Sequence, residues 1–388
     1  MNTHTLLSQF IDRYGQSNKS IQGFYAPGRV NLIGDHTDYC GGLVFPCAID
    51  KGTTMLVRRR DDNLVKLASM NNEFKASLSP EELGQKHGDN WINYVLGVID
   101  QFKQCGTETF GFECLYSGDI PNGGGLSSSA SLEVVTAYAL NNLFDTNFSD
   151  IQLVKIALAA ENEFVGVNCG IMDQYATAMA QKDHAMMLDC NTLECEQTPL
   201  DLADNQIVII NSNQKRSLVG SKYNERFAEC QTATNDMQKL LNIKTLAEIT
   251  PEQLASNMNS FSNETIAKRA KHVVNEHYRV QQAVTALKAN DLNFFGKLMN
   301  ESHDSMSNDF EASTTIIDQL VQISLECEGV IGARMTGGGF GGCTVNIVAE
   351  DAVDHFIESV GKRYSQLCGL TADFYPTYSD DGMRELTL

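Results

Sequence analysis

The 388-residue sequence predicts a mixed helix-and-strand protein built in two halves, and three observations carry that expectation. Strand-like runs recur before residue 190 and again after residue 330, with helical periodicity between them. Pro199 and the polar stretch 196–205 interrupt the pattern, and a fresh apolar run, QIVIIN, opens at 206–211. From 219 to 328 the pattern is mostly helical, and only the last sixty or so residues return to alternation. No internal repeat and no low-complexity linker separates the halves, so 1–200 and 201–388 are expected to pack together rather than hang on a tether.

Taken in order, 5–14 (TLLSQFIDRY) reads as a short amphipathic helix, and 22–26, 29–33, 53–59 (TTMLVRR) and 64–69 (VKLASM) read as strands. Ser79-Pro80-Glu81-Glu82 carries a capping-box pattern and predicts a helix start. WINYVLGVIDQFKQ at 91–104 has helical periodicity, and FGFECLY at 110–116 is a strand leading into a glycine-rich loop. Helical patterns occupy 127–143, 150–164 and about 170–180, and HAMMLD at 184–189 closes the first half as a strand. In the second half Thr250-Pro251-Glu252-Gln253 is another helix start. The end reads as strand 330–335, loop 336–342, strand 343–349, helix 351–367 and strand 371–376.

The charge balance, 29 basic against 49 acidic residues for a net −20, argues against a nucleic-acid binder, which needs a basic face. Eleven scattered cysteines with no C-x-x-C pair argue against a disulfide framework or a zinc site and fit reduced thiols in the cytoplasm. The first twenty residues lack a basic stretch followed by a long apolar one, and no apolar run is long enough to span a membrane. A soluble cytoplasmic protein with no membrane partner is expected.

Chemistry concentrates in four places. Gly28 to Tyr39 (GRVNLIGDHTDY) sets Arg29 beside a strand edge and then packs Asp35, His36, Thr37 and Asp38 together. An ionised carboxylate accepts hydrogen bonds from two hydroxyls, so the cluster suits a small polyol, although a polar turn with Asp35 or Asp38 as a cap has the same look. Pro121-Asn122-Gly123-Gly124-Gly125-Leu126-Ser127-Ser128-Ser129-Ala130-Ser131 follows a strand and precedes a helix. Glycines let its backbone approach a ligand, and the helix start offers free N–H groups to phosphate. It lacks the lysine of a Walker A loop. On helix 150–164, Glu161 is the one charged member of the row Val154, Leu158, Glu161, Val165. Buried there it needs a partner, and Mg2+ shared with a serine of the phosphate loop would suit, whereas a frayed helix end would leave it in solvent. Asp173 in CGIMDQ is a lone acid at a helix start, either a cap or a general base. Finally, Thr336 to Gly342 (TGGGFGG) contains a formal G-x-G-x-x-G but runs into a strand, so it fails as a dinucleotide fingerprint and reads as a hairpin whose backbone is pressed against a ligand or another loop.

Together these segments resemble the galactokinase family of the GHMP small-molecule kinases. The motifs that match, in order, are Gly28 to Gly42, Pro121 to Ser131, Cys169 to Gln174, Val219 to Asn224 and Met335 to Cys343. The resemblance implies an α+β fold of two domains, the first like a ribosomal small-subunit protein and the second ferredoxin-like, with the active site in the cleft between them. It implies transfer of the γ-phosphoryl group of MgATP to the anomeric hydroxyl of α-D-galactose, with small-molecule substrates and no obligate protein partner. Arg29 and Asp173 match catalytic positions. Asp35, His36, Asp38, Gly170, Asp173 and Tyr223 match sugar contacts. Gly123, Gly124, Gly125, Leu126, Ser127, Ser128 and Ser129 match the ATP loop, and Ser129 and Glu161 match the Mg2+ ligands. Two positions depart from the pattern, Asp35 standing for the usual Glu and Cys40 for the usual Asn, so the carboxylate at 35 must retreat or its backbone advance. A kinase for another sugar, such as N-acetylgalactosamine, and a non-catalytic galactose sensor are the alternatives. The sensor is disfavoured by the intact Ser129-Ala130.

Overall fold

Strand Ile21–Asn31 is the spine of the first half. The computed structural model describes residues 3–107, 111–121, 125–167, 169–214 and 219–388. In it, the two runs expected at 22–26 and 29–33 form this single strand, because a register shift between Pro27 and Gly28 lets pairing with Pro46–Arg59 continue past the proline. The sheet has six strands in the order Arg384–Leu386, Ile21–Asn31, Pro46–Arg59, Phe112–Gly118, Val65–Ser69, Ala76–Leu78. Only Phe112–Gly118 and Val65–Ser69 run parallel. Helix Thr3–Tyr14 covers one face with Leu6 and Phe10. Helices Ile92–Gln104, Ser128–Leu143, Asp150–Ala159 and Met172–Met179 cover the other.

The helix expected after Ser79 does not form. The Ser79 N–H does reach the Glu82 carboxylate at 2.8 Å, but the chain only turns around buried Leu83 before Ile92–Gln104 begins. Gly84 and Gly88 favour that outcome, since each costs about 1 kcal/mol in a helix. The strands Leu43–Val44, Ala76–Leu78, Cys195–Pro199 and Arg384–Leu386 were not expected. Each is too short for its own residues to show a period, and pairing partners alone define it.

The second half carries an antiparallel sheet in the order Val330–Thr336, Cys343–Ala349, Asn205–Asn211, Asp373–Thr377. Along the chain, a helical block lies between Asn205–Asn211 and Val330–Thr336, and helix Val353–Cys368 lies between Cys343–Ala349 and Asp373–Thr377. That is the split β-α-β-β-α-β order of a ferredoxin-like sheet. The capping signal at Thr250 works here: its side chain accepts from the Gln253 N–H at 3.2 Å and helix Pro251–Asn257 follows.

One face of this sheet packs on Val353–Cys368. Its other face puts Ile207, Ile209, Val345 and Ile347 into one buried cluster with Val30, Leu32, Phe45, Cys47 and Ile49 of the first half. The halves therefore share a core. The last strand, Arg384–Leu386, crosses back to pair with Ile21–Asn31, so a cut at residue 200 leaves the C-terminal strand on the first half's sheet.

Candidate functional site

Arg29 lies near the end of the spine strand and is 4% exposed. Its Nε and Nη2 meet Asp173 Oδ1 at 2.8 and 2.6 Å, and its Nη1 donates to the Gly125 carbonyl at 2.7 Å. The Ser127 hydroxyl donates to Asp173 Oδ2 at 2.6 Å. Asp173 is thus no helix cap, and Ile171 holds the N-cap position of Met172–Met179 without a side-chain bond. One carboxylate ties the spine strand to the phosphate loop.

Around it opens a cleft of about 300 Å³. Arg29, Asp35, His36, Asp38, Gly170 and Asp173 wall it from the first half, and Tyr223, Asn224, Gly337 and Gly338 from the second. His36 is buried between the rings of Tyr223 and Phe310, at 5.3 and 4.6 Å between centroids, with Nδ1 2.7 Å from the Tyr39 hydroxyl. Burial pushes its pKa down to about 4, so it is neutral near pH 7. For Asp38, burial and then the facing charge of Asp173 push the pKa up to about 7. A Cβ on Gly170 would stand 2.1 Å from Asp38 Oδ2, so only glycine leaves that carboxylate its place. Asp35 is buried, its oxygens bonded to Asn31 Nδ2 and to Arg334 Nη2, each at 2.7 Å. The structure brings all the expected sugar-contact positions to one cleft.

The phosphate loop is pinned on two sides. A Cβ on Gly28 would meet the Leu126 carbonyl at 2.8 Å, and one on Gly337 would meet the Gly125 carbonyl at 2.9 Å. The second glycine cluster therefore presses on the first, as the hairpin reading expects, with Thr336 paired to Cys343. Gly125 and Ser127 both adopt positive φ, 73° and 59°. Gly123 and Gly124 lie outside the described residues. Helix Ser128–Leu143 starts without a side-chain cap, which leaves its first N–H groups available to an anion. Ser128 and Ser129 there line a second cavity, of about 240 Å³, whose other walls include Trp91, Tyr94, Tyr116, Asn71 and Asn72. Aromatic walls with a few amides suit a flat heteroaromatic base. Sequence reasoning missed this cavity because its walls come from widely separated segments that no local pattern links.

Between the two cavities sits a carboxylate pair. Helix Asp150–Ala159 continues as a π-helical turn over Ala160–Val165, and Glu161 on that turn is 6% exposed rather than frayed into solvent. The Gln174 amide donates to Glu161 Oε2 at 2.7 Å and to Glu133 Oε2 at 3.2 Å. Burial raises the pKa of both acids, with Asp173 adding to the shift of Glu161 and Glu161 to that of Glu133, while the Ser129 hydroxyl bonds Glu161 and opposes its shift. Glu133 Oε1 is buried without a partner among the described residues. Glu133 was not expected, although it lies four residues beyond Ser129 on one helix row, the spacing that puts two side chains on the same face.

Comparison with known proteins gives matches over the same regions. The galactokinase galactose-binding signature matches residues 8–59, the N-terminal domain of GHMP kinases 93–181, and the C-terminal region of GHMP kinases 283–366. The galactokinase of Clostridium acetobutylicum is 49% identical over 366 residues, 94% of each chain. That of Bacillus subtilis is 45% identical over 380 residues, 97% of each. The crystal structure of Lactococcus lactis galactokinase complexed with galactose superposes with a TM-score of 0.96 at 42% identity, over 99% of both chains. Methanococcus jannaschii mevalonate kinase, at 20% identity and a TM-score of 0.68 over 94% of this chain and 100% of that one, shares the fold.

Proposed function

The chain belongs to the galactokinase family of the GHMP kinases, an ATP-dependent sugar kinase that phosphorylates galactose, and on that premise we propose how its cleft does so. The sugar lies in the cleft beside Asp38, Asp35, His36 and Tyr223, with its C1 hydroxyl toward Asp173. The ATP phosphates lie on the loop around Gly125 to Ser129, and the base enters the cavity walled by Trp91 and Tyr116. The carrying observation is the junction at Asp173, where Arg29 holds one carboxylate oxygen and Ser127 of the phosphate loop holds the other. Acceptor and donor sites thereby meet at a single group.

Phosphoryl transfer asks mainly for alignment and charge stabilisation. Arg29 and Ser127 fix the Asp173 carboxylate, whose remaining lone pairs accept the C1 hydroxyl proton as the oxygen attacks the γ-phosphorus, while the bond from that phosphorus to the β,γ-bridging oxygen breaks and ADP leaves with the electron pair. An anomeric hydroxyl is more acidic than an ordinary alcohol, so a carboxylate suffices. Arg29 also offsets negative charge as the phosphoryl group moves. The neutral His36 supplies hydrogen bonding without repelling Arg226 and Arg334.

The residues present fit Mg2+. Ser129 and Glu161 offer the hard oxygen donors it prefers, and the unpartnered buried oxygen of Glu133 gains from a cation nearby. Among the described residues no group of three or more His, Cys, Asp or Glu side chains is placed to hold a metal ion by itself, as suits an ion that takes most of its ligands from phosphates and water. When bound it would offset the triphosphate charge. The proposed setting is the cytoplasm, where the chain's eleven cysteines would stay reduced; no helix among the described residues is long and apolar enough to cross a membrane.

ADP release measured against a panel of free sugars, with no protein partner added, tests the acceptor. Galactose-dependent turnover is expected. Preference for another sugar would reassign the acceptor, and binding without turnover would mark a sensor. Asp173→Asn should lower kcat by at least ~10² while the protein stays folded by circular dichroism. Near-normal turnover in that variant would sink the role given to Asp173.

A further inference from the structure

We infer that Arg334 is a positioning residue for sugar selectivity that acts through Asp35; the inference rests on the reading of Asp35 as a sugar contact. Arg334 sits on strand Val330–Thr336 of the second half and is fully buried. Its Nη2 donates to Asp35 Oδ2 at 2.7 Å, while Nη1 reaches the carbonyls of Asn31 and Leu32 at 3.1 and 3.4 Å. Asn31 Nδ2 closes the arrangement on Asp35 Oδ1 at 2.7 Å.

The backbone on either side of the carboxylate is held from the same half. Thr336 Oγ donates to the Asn31 carbonyl at 2.9 Å. On helix Glu264–Lys288, Glu276 Oε1 accepts from the Gly34 N–H at 2.9 Å, and His272 Nε2 lies 3.1 Å from the Asp35 carbonyl. The loop that grips the sugar thus belongs to the first half by sequence, and the second half adds bonds on both sides of Asp35.

The guanidinium is a planar fork with fixed donor directions. Held by two backbone carbonyls, it cannot swing, so it dictates the plane of the Asp35 carboxylate. Each carboxylate oxygen keeps one filled and one open lone-pair direction. The open directions select which arrangement of hydroxyls the cleft accepts. A lysine at 334 supplies charge from a flexible stem but not the plane.

The test compares Arg334→Lys, Arg334→Met and Asp35→Asn, alone and combined, by steady-state kinetics with galactose, its C4 epimer glucose, and ATP. Arg334→Lys should raise the galactose KM by about 10-fold or more and lower the galactose-to-glucose preference, with the KM for ATP within about twofold and kcat within about threefold of the parent. In an Asp35→Asn background the same change should add less than about twofold, because its partner is already gone. If Arg334→Met fails to fold, Arg334→Lys, which keeps the buried charge paired, carries the test. Independent, multiplicative effects in the double variant overturn the proposal, as does a lowered melting temperature with an unchanged galactose KM. An unchanged galactose KM in Asp35→Asn removes Asp35 from the sugar site, and this inference with it. A raised KM there with none in Arg334→Lys overturns the positioning role alone.

Discussion

Asp38 and Asp173 face each other across the cleft, and only Asp173 has its own arginine. Burial first, and the facing charge second, lift the Asp38 pKa from 3.8 to about 7. The sign follows from linkage. Between those two values the unfolded chain sheds its proton and the folded one keeps it, so this group costs the free enzyme stability as pH rises through that window, and the full cost is present above it. Sugar hydroxyls that donate to the carboxylate favour its ionised form. Galactose affinity should therefore rise as pH climbs toward about 7, by up to tenfold per unit below it, with a proton released on binding at pH 6. Calorimetric titration in two buffers of different ionisation enthalpy measures that release, and Asp38→Asn should abolish it. A pH-independent affinity between 5.5 and 8 would contradict the placement of Asp38 against the sugar. Much of this chemistry was legible from residue types alone, since two acids, an imidazole and an arginine in twelve residues are rarely idle. The division of labour was not. Asp35 and Asp38 sit three residues apart with the same side chain and line the same cleft, yet one is held by a buried arginine and the other faces the charge of Asp173, and that difference comes from strand Val330–Thr336, hundreds of residues away.

Among the elements, the phosphate loop depends on how closely it can lie on the spine strand. Gly28→Ala places a methyl 2.8 Å from the Leu126 carbonyl, a backbone atom that can yield only if the loop moves. The expected result is a several-fold rise in the KM for ATP and a loss of about 1–3 kcal/mol of stability, measured by denaturant unfolding. Gly338→Ala is the contrast, because its Cβ would meet the Tyr223 ring at an ordinary 3.5 Å, and its unfolding midpoint should move little. Element positions followed the sequence wherever periodicity was long, as in Ser128–Leu143 and Cys343–Ala349. They failed where a local signal stood alone. The Ser79 capping bond forms, but with no apolar stripe behind it a single turn cannot propagate a helix. The same kind of signal at Thr250 succeeds because Ala255 and Ser256 follow buried Leu254 and carry the helix on, where Gly84 follows the equally buried Leu83.

For the whole molecule, the shared core and the returning C-terminal strand bind the halves into one cooperative unit. Calorimetry should show a single unfolding transition, and two resolved peaks would contradict a common core. Removing residues 383–388 should lower the melting temperature by several degrees, since it strips strand Arg384–Leu386 from the spine, uncovers an edge, and removes the stacking of Arg384 over Tyr25 at 4.4 Å. Because Arg29 lies on that spine, kcat should fall with it.

The sequence by itself determined the local chemistry: which residues can grip hydroxyls, which loop can take phosphate, and which acid can accept a proton. Those properties reside in side-chain type and short spacing, and both survive in a linear string. Only the tertiary structure decided how they work together. Arg29 meets Asp173 across 144 positions, Glu133 joins Glu161 through Gln174, and Arg334 sets Asp35 from the other half of the chain. Such pairings depend on strand register and on the packing of one buried core, which no local pattern records.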